Sequence, residues 1–142
     1  MVVFRVLPLM VVALVLYNLL ALVHLYDADS TLAMLGTSFD IPMFSGHVWK
    51  LSVSDLVVVF AITLLFIEVV KATRTEATEV INHALSMLVF TACLVEFITL
   101  PAFSDSAFFL ITVMALFDVV AGFTITIVAA RRDFGVSEPT AQ

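Results

Sequence analysis

Phe108-Phe109-Leu110-Ile111-Thr112-Val113-Met114-Ala115-Leu116-Phe117-Asp118-Val119-Val120-Ala121-Gly122-Phe123-Thr124-Ile125-Thr126-Ile127-Val128-Ala129-Ala130 is a run of 23 residues with one charged side chain, Asp118. As a helix it rises about 34 Å, enough to cross a hydrocarbon core of about 30 Å. Inside lipid every backbone N–H and C=O must be satisfied within the segment, so the Val, Ile and Phe content does not make it a strand.

Three more apolar runs of similar length lie at residues 6–26, 51–70 and 81–100. The chain is 63% hydrophobic and 13% charged, against about 45–50% and 25% in soluble domains, and its mean hydropathy is +1.19. The expected fold is therefore all-α, a four-helix transmembrane bundle in up-down-up-down order, forming one membrane domain over residues 1–133. Residues 134–142 read as a disordered cytoplasmic tail. The first span, longer in its apolar part than the 7–15 residues of a typical signal core and followed by no small-x-small site, is expected to be retained.

Six Lys+Arg against twelve Asp+Glu give a formal charge of −6, which leaves no basic stripe for nucleic acid. Cys93 is the single cysteine, so no intrachain disulfide, Cys-x-x-Cys pair or thiolate cage can form. Cations in short flanking loops stay in the cytoplasm. Arg5, Lys71, Arg74, Arg131 and Arg132 share one side of a four-span arrangement and Lys50 lies on the other, so both termini are expected in the cytoplasm. The same four runs make it a multi-pass membrane protein.

Outside the spans, residues 27–50 form the sizeable outer loop. Ser45-Gly46 is a turn dipeptide between two short apolar-bearing segments, which suggests a small β-hairpin over the outer helix ends. Trp49, Phe44 and Tyr26 are the expected interfacial anchors. Ser52-Val53-Ser54-Asp55 resembles a capping box opening the second span.

An ionisable group inside a span costs at least about 2.5–3.5 kcal/mol on insertion scales and asks for a partner or a job. Glu68, Glu96, Asp118 and His83 are in that position. Asp118 falls roughly 16 Å below the outer end of its span, near the midplane. Ala115, Asp118, Gly122, Thr126 and Ala129 form a stripe of small and polar residues, the kind of face that lets helices approach closely in lipid. His83, Ser86, Phe90 and Cys93 share a face of the third span with Glu96 at its edge; Ser54, Ala61 and Glu68 recur in the second; Tyr17, Asn18, Ala21 and His24 mark the first.

Sorted by depth, these groups suggest three layers: His24, Asp55 and Glu96 outside, Asn18 and Asp118 at the midplane, Glu68 and His83 inside. One reading makes Asp118 a proton carrier. The other keeps it neutral, hydrogen-bonded to Asn18 or Tyr17, as a lock of the bundle. His24, Asp55 and Glu96 as a metal site have no fixed short spacing, and His24 and His83 lie at opposite depths, which fails a bis-histidine haem. No metal and no cofactor are expected.

Two stretches look familiar: Ile67-Glu68-Val69-Val70-Lys71-Ala72-Thr73-Arg74-Thr75, and the run from Leu94-Val95-Glu96-Phe97 through Pro101, Asp118 and Ala121-Gly122-Phe123 to Ala130-Arg131-Arg132-Asp133. Over about the last 75 residues the chain resembles small four-helix inner-membrane proteins of proteobacteria that carry no assigned function. The resemblance implies a four-span bacterial membrane protein and no chemistry.

No Ser/His/Asp nucleophile constellation is present, so the expectation leans away from an enzyme. The first functional expectation is a non-enzymatic accessory or assembly subunit, or a self-associating bundle, with the lipid bilayer and a protein within it, or a second copy, as partners. A proton-coupled transporter or channel subunit using Asp118, with Glu96 and Glu68 as relays, is the alternative. A lipid- or quinone-handling enzyme comes third.

Overall fold

The computed structural model describes residues 7–72 and 79–135, with the backbone alone at Glu79, Val80, Ala129, Ala130 and residues 132–135. Arg5, Arg74 and residues 136–142 lie outside it, as does the side chain of Ala129. Among the described residues, five helices and one hairpin occur in the order α1 (Met10–Val23), α2 (Ala28–Leu35), β1 (Ser38–Pro42), β2 (Val48–Ser52), α3 (Val53–Ala72), α4 (Glu79–Thr99), a 3-10 turn (Pro101–Phe103) and α5 (Ser106–Gly135).

Three of these helices are long and apolar enough to cross a membrane, over Val53–Ala72, Ile81–Thr99 and Ser106–Val128. The first span departs from its expected limits. Helix α1 has 14 residues, about 21 Å, and the chain then bends by 118° into α2, so that a fourth span exists only if the bent pair serves as one. The break falls at Leu25 and Tyr26, both with positive φ (53° and 59°). Each costs roughly 1–2 kcal/mol as a left-handed L-residue. Local bonds hold the bend: the Tyr26 N–H donates to the Ala21 carbonyl at 2.9 Å, and its ring stacks on Phe103 at 6.1 Å.

Helix α2 was not foreseen within the outer loop. Asp27 caps it by accepting from the Ser30 N–H at 2.9 Å, and the Ser30 side chain and then its N–H hold the Asp27 carboxyl below the ordinary aspartate range. Thr31 and Leu35 are buried, which packs one face of α2 against the long helices and the 3-10 turn. The expected hairpin follows, antiparallel, with Phe39 opposite Leu51 and Ile41 opposite Trp49. Its turn needs Gly46, at φ +82°, where the N–H donates to the Met43 carbonyl at 3.0 Å. Only glycine enters that region without steric cost.

The capping box forms as expected. The Ser52 N–H donates to Asp55 Oδ2 at 2.8 Å and the Asp55 N–H returns to Ser52 Oγ at 3.1 Å. Two of the first donors at the start of α3 are thereby satisfied. At the other boundary α5 runs on to Gly135, two residues into the tail expected to be disordered.

An aromatic cluster fills the hairpin end of the core. Tyr17 lies 5.2 Å from Phe103 and 4.6 Å from Phe108, and Phe103 meets Phe108 edge-on at 4.8 Å. Farther along, buried Ala13, Ala21, Ala61, Cys93 and Ala115 keep side chains short where the helices cross, as close packing in lipid requires. Large apolar residues point outward instead: Phe66, Leu88 and Ile98 are 68%, 66% and 71% exposed. So much outward apolar surface on long apolar helices fits a lipid surround.

Candidate functional site

Two polar layers tie the helices together, one near the hairpin end and one near the opposite, far end. At the hairpin end, Asp105 precedes α5 by one residue and accepts from the Phe108 N–H at 2.8 Å. The same oxygen takes the Tyr17 hydroxyl at 2.8 Å, which fixes α1 to the start of α5. Alongside, the Asn18 amide donates to Glu96 Oε2 at 3.0 Å and to the Leu14 carbonyl at 3.1 Å, joining α1 to α4.

Glu68 organises the far end. It lies four residues before the end of α3 and is 1% exposed. Its Oε1 accepts from Asn82 Nδ2 at 2.6 Å and Lys71 Nζ at 2.9 Å. Its Oε2 accepts from the Leu9 N–H at 2.9 Å and from Lys71 at 3.2 Å. Leu9 is the N-cap residue of α1 and offers no side-chain cap, so Glu68 satisfies a donor that the helix start leaves orphaned. One carboxylate thus joins α1, α3 and α4. Lys71 adds a donor contact to the Leu7 carbonyl at 3.1 Å.

Above this knot the α4–α5 seam carries His83, Ser86, Asp118 and Gly122, all buried. The two helices run in opposite directions there, His83 lying against Gly122 and Phe97 against Phe109 at 5.5 Å. A Cβ on Gly122 would overlap the His83 imidazole, reaching within 2.9 Å of Cγ and closer still to Nδ1 and Cε1. Phe123 flanks the same ring at 5.9 Å. Asp118 lies beside Ser86 and in the field of Glu68 and Lys71, but its Oδ2 receives no hydrogen bond. Among the described residues Ser86 Oγ, His83 Nε2 and Asn82 Oδ1 are likewise buried and unpartnered. Such groups are costly and rare in native interiors.

This geometry corrects the three-layer expectation. Asn18 belongs to the hairpin-end layer with Glu96, and Asp118 belongs to the far-end layer with Glu68, His83 and Ser86. Its expected partners are taken: Tyr17 bonds Asp105 and Asn18 bonds Glu96. The reason is register, since α4 sets the depth of Asp118 through Ser86, seven residues or about 10 Å from the far end of α4.

Other expected groups fall as follows. His24 ends α1 as its C-cap residue and lies near Asp27. Asp55 is committed to Ser52, so His24, Asp55 and Glu96 are engaged separately. Ala115 is buried, and Thr126 is half-buried, with its hydroxyl donating to the Gly122 carbonyl at 3.0 Å. Trp49, Phe44 and Tyr26 are all exposed near the hairpin end. Asn82, Lys71 and Asp105 were missed as bundle ties. The i,i+3 spacing of Glu68 and Lys71 carried a readable signal for one of them.

Between the layers lies a dry stretch. Ser86 and Glu96 are ten residues apart on α4, about 15 Å. Met10, Ala13 and Leu14 of α1, Val89 and Cys93 of α4, and Ile111, Met114 and Ala115 of α5 are buried between the two layers. Thr112 is buried there too, and its hydroxyl donates to the Phe108 carbonyl of its own helix at 3.0 Å.

Comparison with protein-family models, with curated proteins and with solved structures finds no match to this chain.

Proposed function

We propose that the chain is a small non-enzymatic membrane protein, an accessory or assembly subunit of a larger membrane complex. It crosses a bacterial inner membrane four times in up-down-up-down order, with the bent α1–α2 pair as the first span, both ends cytoplasmic and the hairpin with Trp49 and Phe44 at the outer headgroup level. The dry layer between the two polar knots carries this reading. A proton moving from Asp118 to Glu96 would cross about 15 Å of packed apolar side chains, with the hydroxyl of Thr112 already bonded to its own helix. The polar groups are better placed to lock helices than to pass ions. Each knot joins different chain segments at one depth, as interhelical hydrogen bonds do in lipid.

A second reading, proton coupling through Asp118, draws support from its neighbours. A lone midplane carboxyl is poorly equipped for transport, whereas Asp118 has Glu68, Lys71 and Ser86 nearby. That arrangement makes a site reached from one side, and transport would still require the dry layer to open.

Purification from the native membrane in mild detergent, followed by mass spectrometry, tests the first reading. A partner in fixed stoichiometry is the expected result. A chain that always runs alone as a monomer would contradict it.

A further inference from the structure

A groove of about 300 Å³ opens along α1 toward α4, lined by Leu14, Val15, Leu19, Leu22 and Tyr26 with the polar groups of Asn18 and Glu96 among them. Val15, Leu19 and Leu22 are about half exposed, so the groove is open along its side instead of enclosing a small molecule. Val15, Asn18 and Leu22 recur at steps of three and four, the seam spacing of paired helices. Within it Glu96 takes a hydrogen bond on Oε2 from Asn18, and Asn18 is the donor it finds among the described residues. A carboxylate three residues inside α4, facing an apolar groove, calls for a cation or a strong donor from whatever fills that groove.

The chain itself is poorly placed to supply one. Of its six Lys and Arg, Lys71 is bound to Glu68 at the far end. Lys50 stands on β2 opposite Asp40, outside the helices. Arg131, the remaining cation whose side chain is described, is exposed toward the end of α5 away from the hairpin. Among the described residues, a second copy would therefore bring another Glu96 and no free cation at that depth.

We infer that this groove receives a transmembrane helix of a different protein, one that presents a lysine or arginine side chain to Glu96. The inference rests on the accessory-subunit reading and names its contact face. Apolar side chains of the incoming helix seat between Leu19 and Leu22, and its donor completes the hydrogen bonding that Asn18 begins.

The test uses two synthetic single-span helices of leucine, one carrying a lysine one turn below its outer end and one with leucine there. Association with the full-length protein is followed by energy transfer in vesicles of phosphatidylcholine and phosphatidylglycerol. The lysine helix is expected to bind on the order of tenfold more tightly. Glu96→Gln, whose amide oxygen still accepts from Asn18, should abolish that preference while circular dichroism stays unchanged, and Leu19→Trp should weaken both helices by filling the groove.

Equal binding of the two helices, or a lysine preference that survives Glu96→Gln, would overturn the assignment. So would cross-linking of Leu19→Cys copies to one another without added helix, which would make the occupant a second copy. A tightly held lipid that neither helix displaces and that Glu96→Gln releases would do the same in favour of lipid. If the docking face alone is wrong, the native stoichiometric partner persists without a lysine preference. If the subunit reading is wrong, that partner is missing whichever helix binds.

Discussion

Glu68→Ala lowers the stability of the folded protein by about 3–5 kcal/mol, the range for breaking a buried charge pair by removing one partner. The size follows from what is stranded. Lys71 keeps a partly buried ammonium with the Leu7 carbonyl as its remaining partner, while the Leu9 N–H and the Asn82 amide lose the acceptor that held them. Each unpaired buried donor costs about 1–3 kcal/mol. Glu68→Gln keeps a carbonyl for one of these donors and loses less, about 1–2 kcal/mol. Unfolding in mixed micelles, followed by circular dichroism, measures both variants. A change below about 1 kcal/mol in Glu68→Ala would mean that α1, α3 and α4 do not depend on this knot.

Gly122 provides the second large effect, and there the sign is the test. In a helix Gly→Ala normally gains about 1 kcal/mol of propensity. At this position the new methyl would meet the His83 ring, which is itself buried against Phe123. Overpacking of that kind costs about 1–3 kcal/mol, so the single variant Gly122→Ala is expected to be destabilised overall, by up to about 2 kcal/mol. In a His83→Ala background the obstruction is gone and the same substitution should stabilise by up to about 1 kcal/mol. A double-mutant cycle in the same micelles reads the coupling. Additive effects would show that α4 and α5 do not meet at this pair.

The apolar runs made the three long helices readable, because lipid leaves helices as the workable spanning element for such runs. The Ser52–Asp55 capping box and the Gly46 turn were legible for local reasons, each needing only three or four residues. The inward faces were legible as well, since Ala61 and Glu68, or His83, Ser86 and Cys93, recur at helical steps and are buried together. The bend after α1 left no such trace. Leu25 and Tyr26 are not the residues that announce positive φ, and the contacts that hold Tyr26 come from Phe103, nearly eighty residues away.

Asp118 was singled out correctly as buried and given the wrong neighbours. Depth counted along a single span carries no information on how far the adjoining helix is offset. The α4–α5 register, set by His83 against Gly122 and Phe97 against Phe109, moved Asp118 into the layer of Glu68. Lys71 was visible as a charge that marks a side of the membrane. Its second role, closing the Glu68 knot, depends on the start of α1 reaching the end of α3 and could not be read from spacing.

On the proposed reading, two polar knots kept apart by a packed apolar layer tie the helices without conducting protons. Proteoliposomes loaded with a pH-sensitive dye test it most directly. With a proton gradient imposed in either direction, and with or without a membrane potential, the dye signal should decay no faster than in protein-free liposomes. Proton flux that exceeds this background and disappears in Asp118→Asn would contradict the claim.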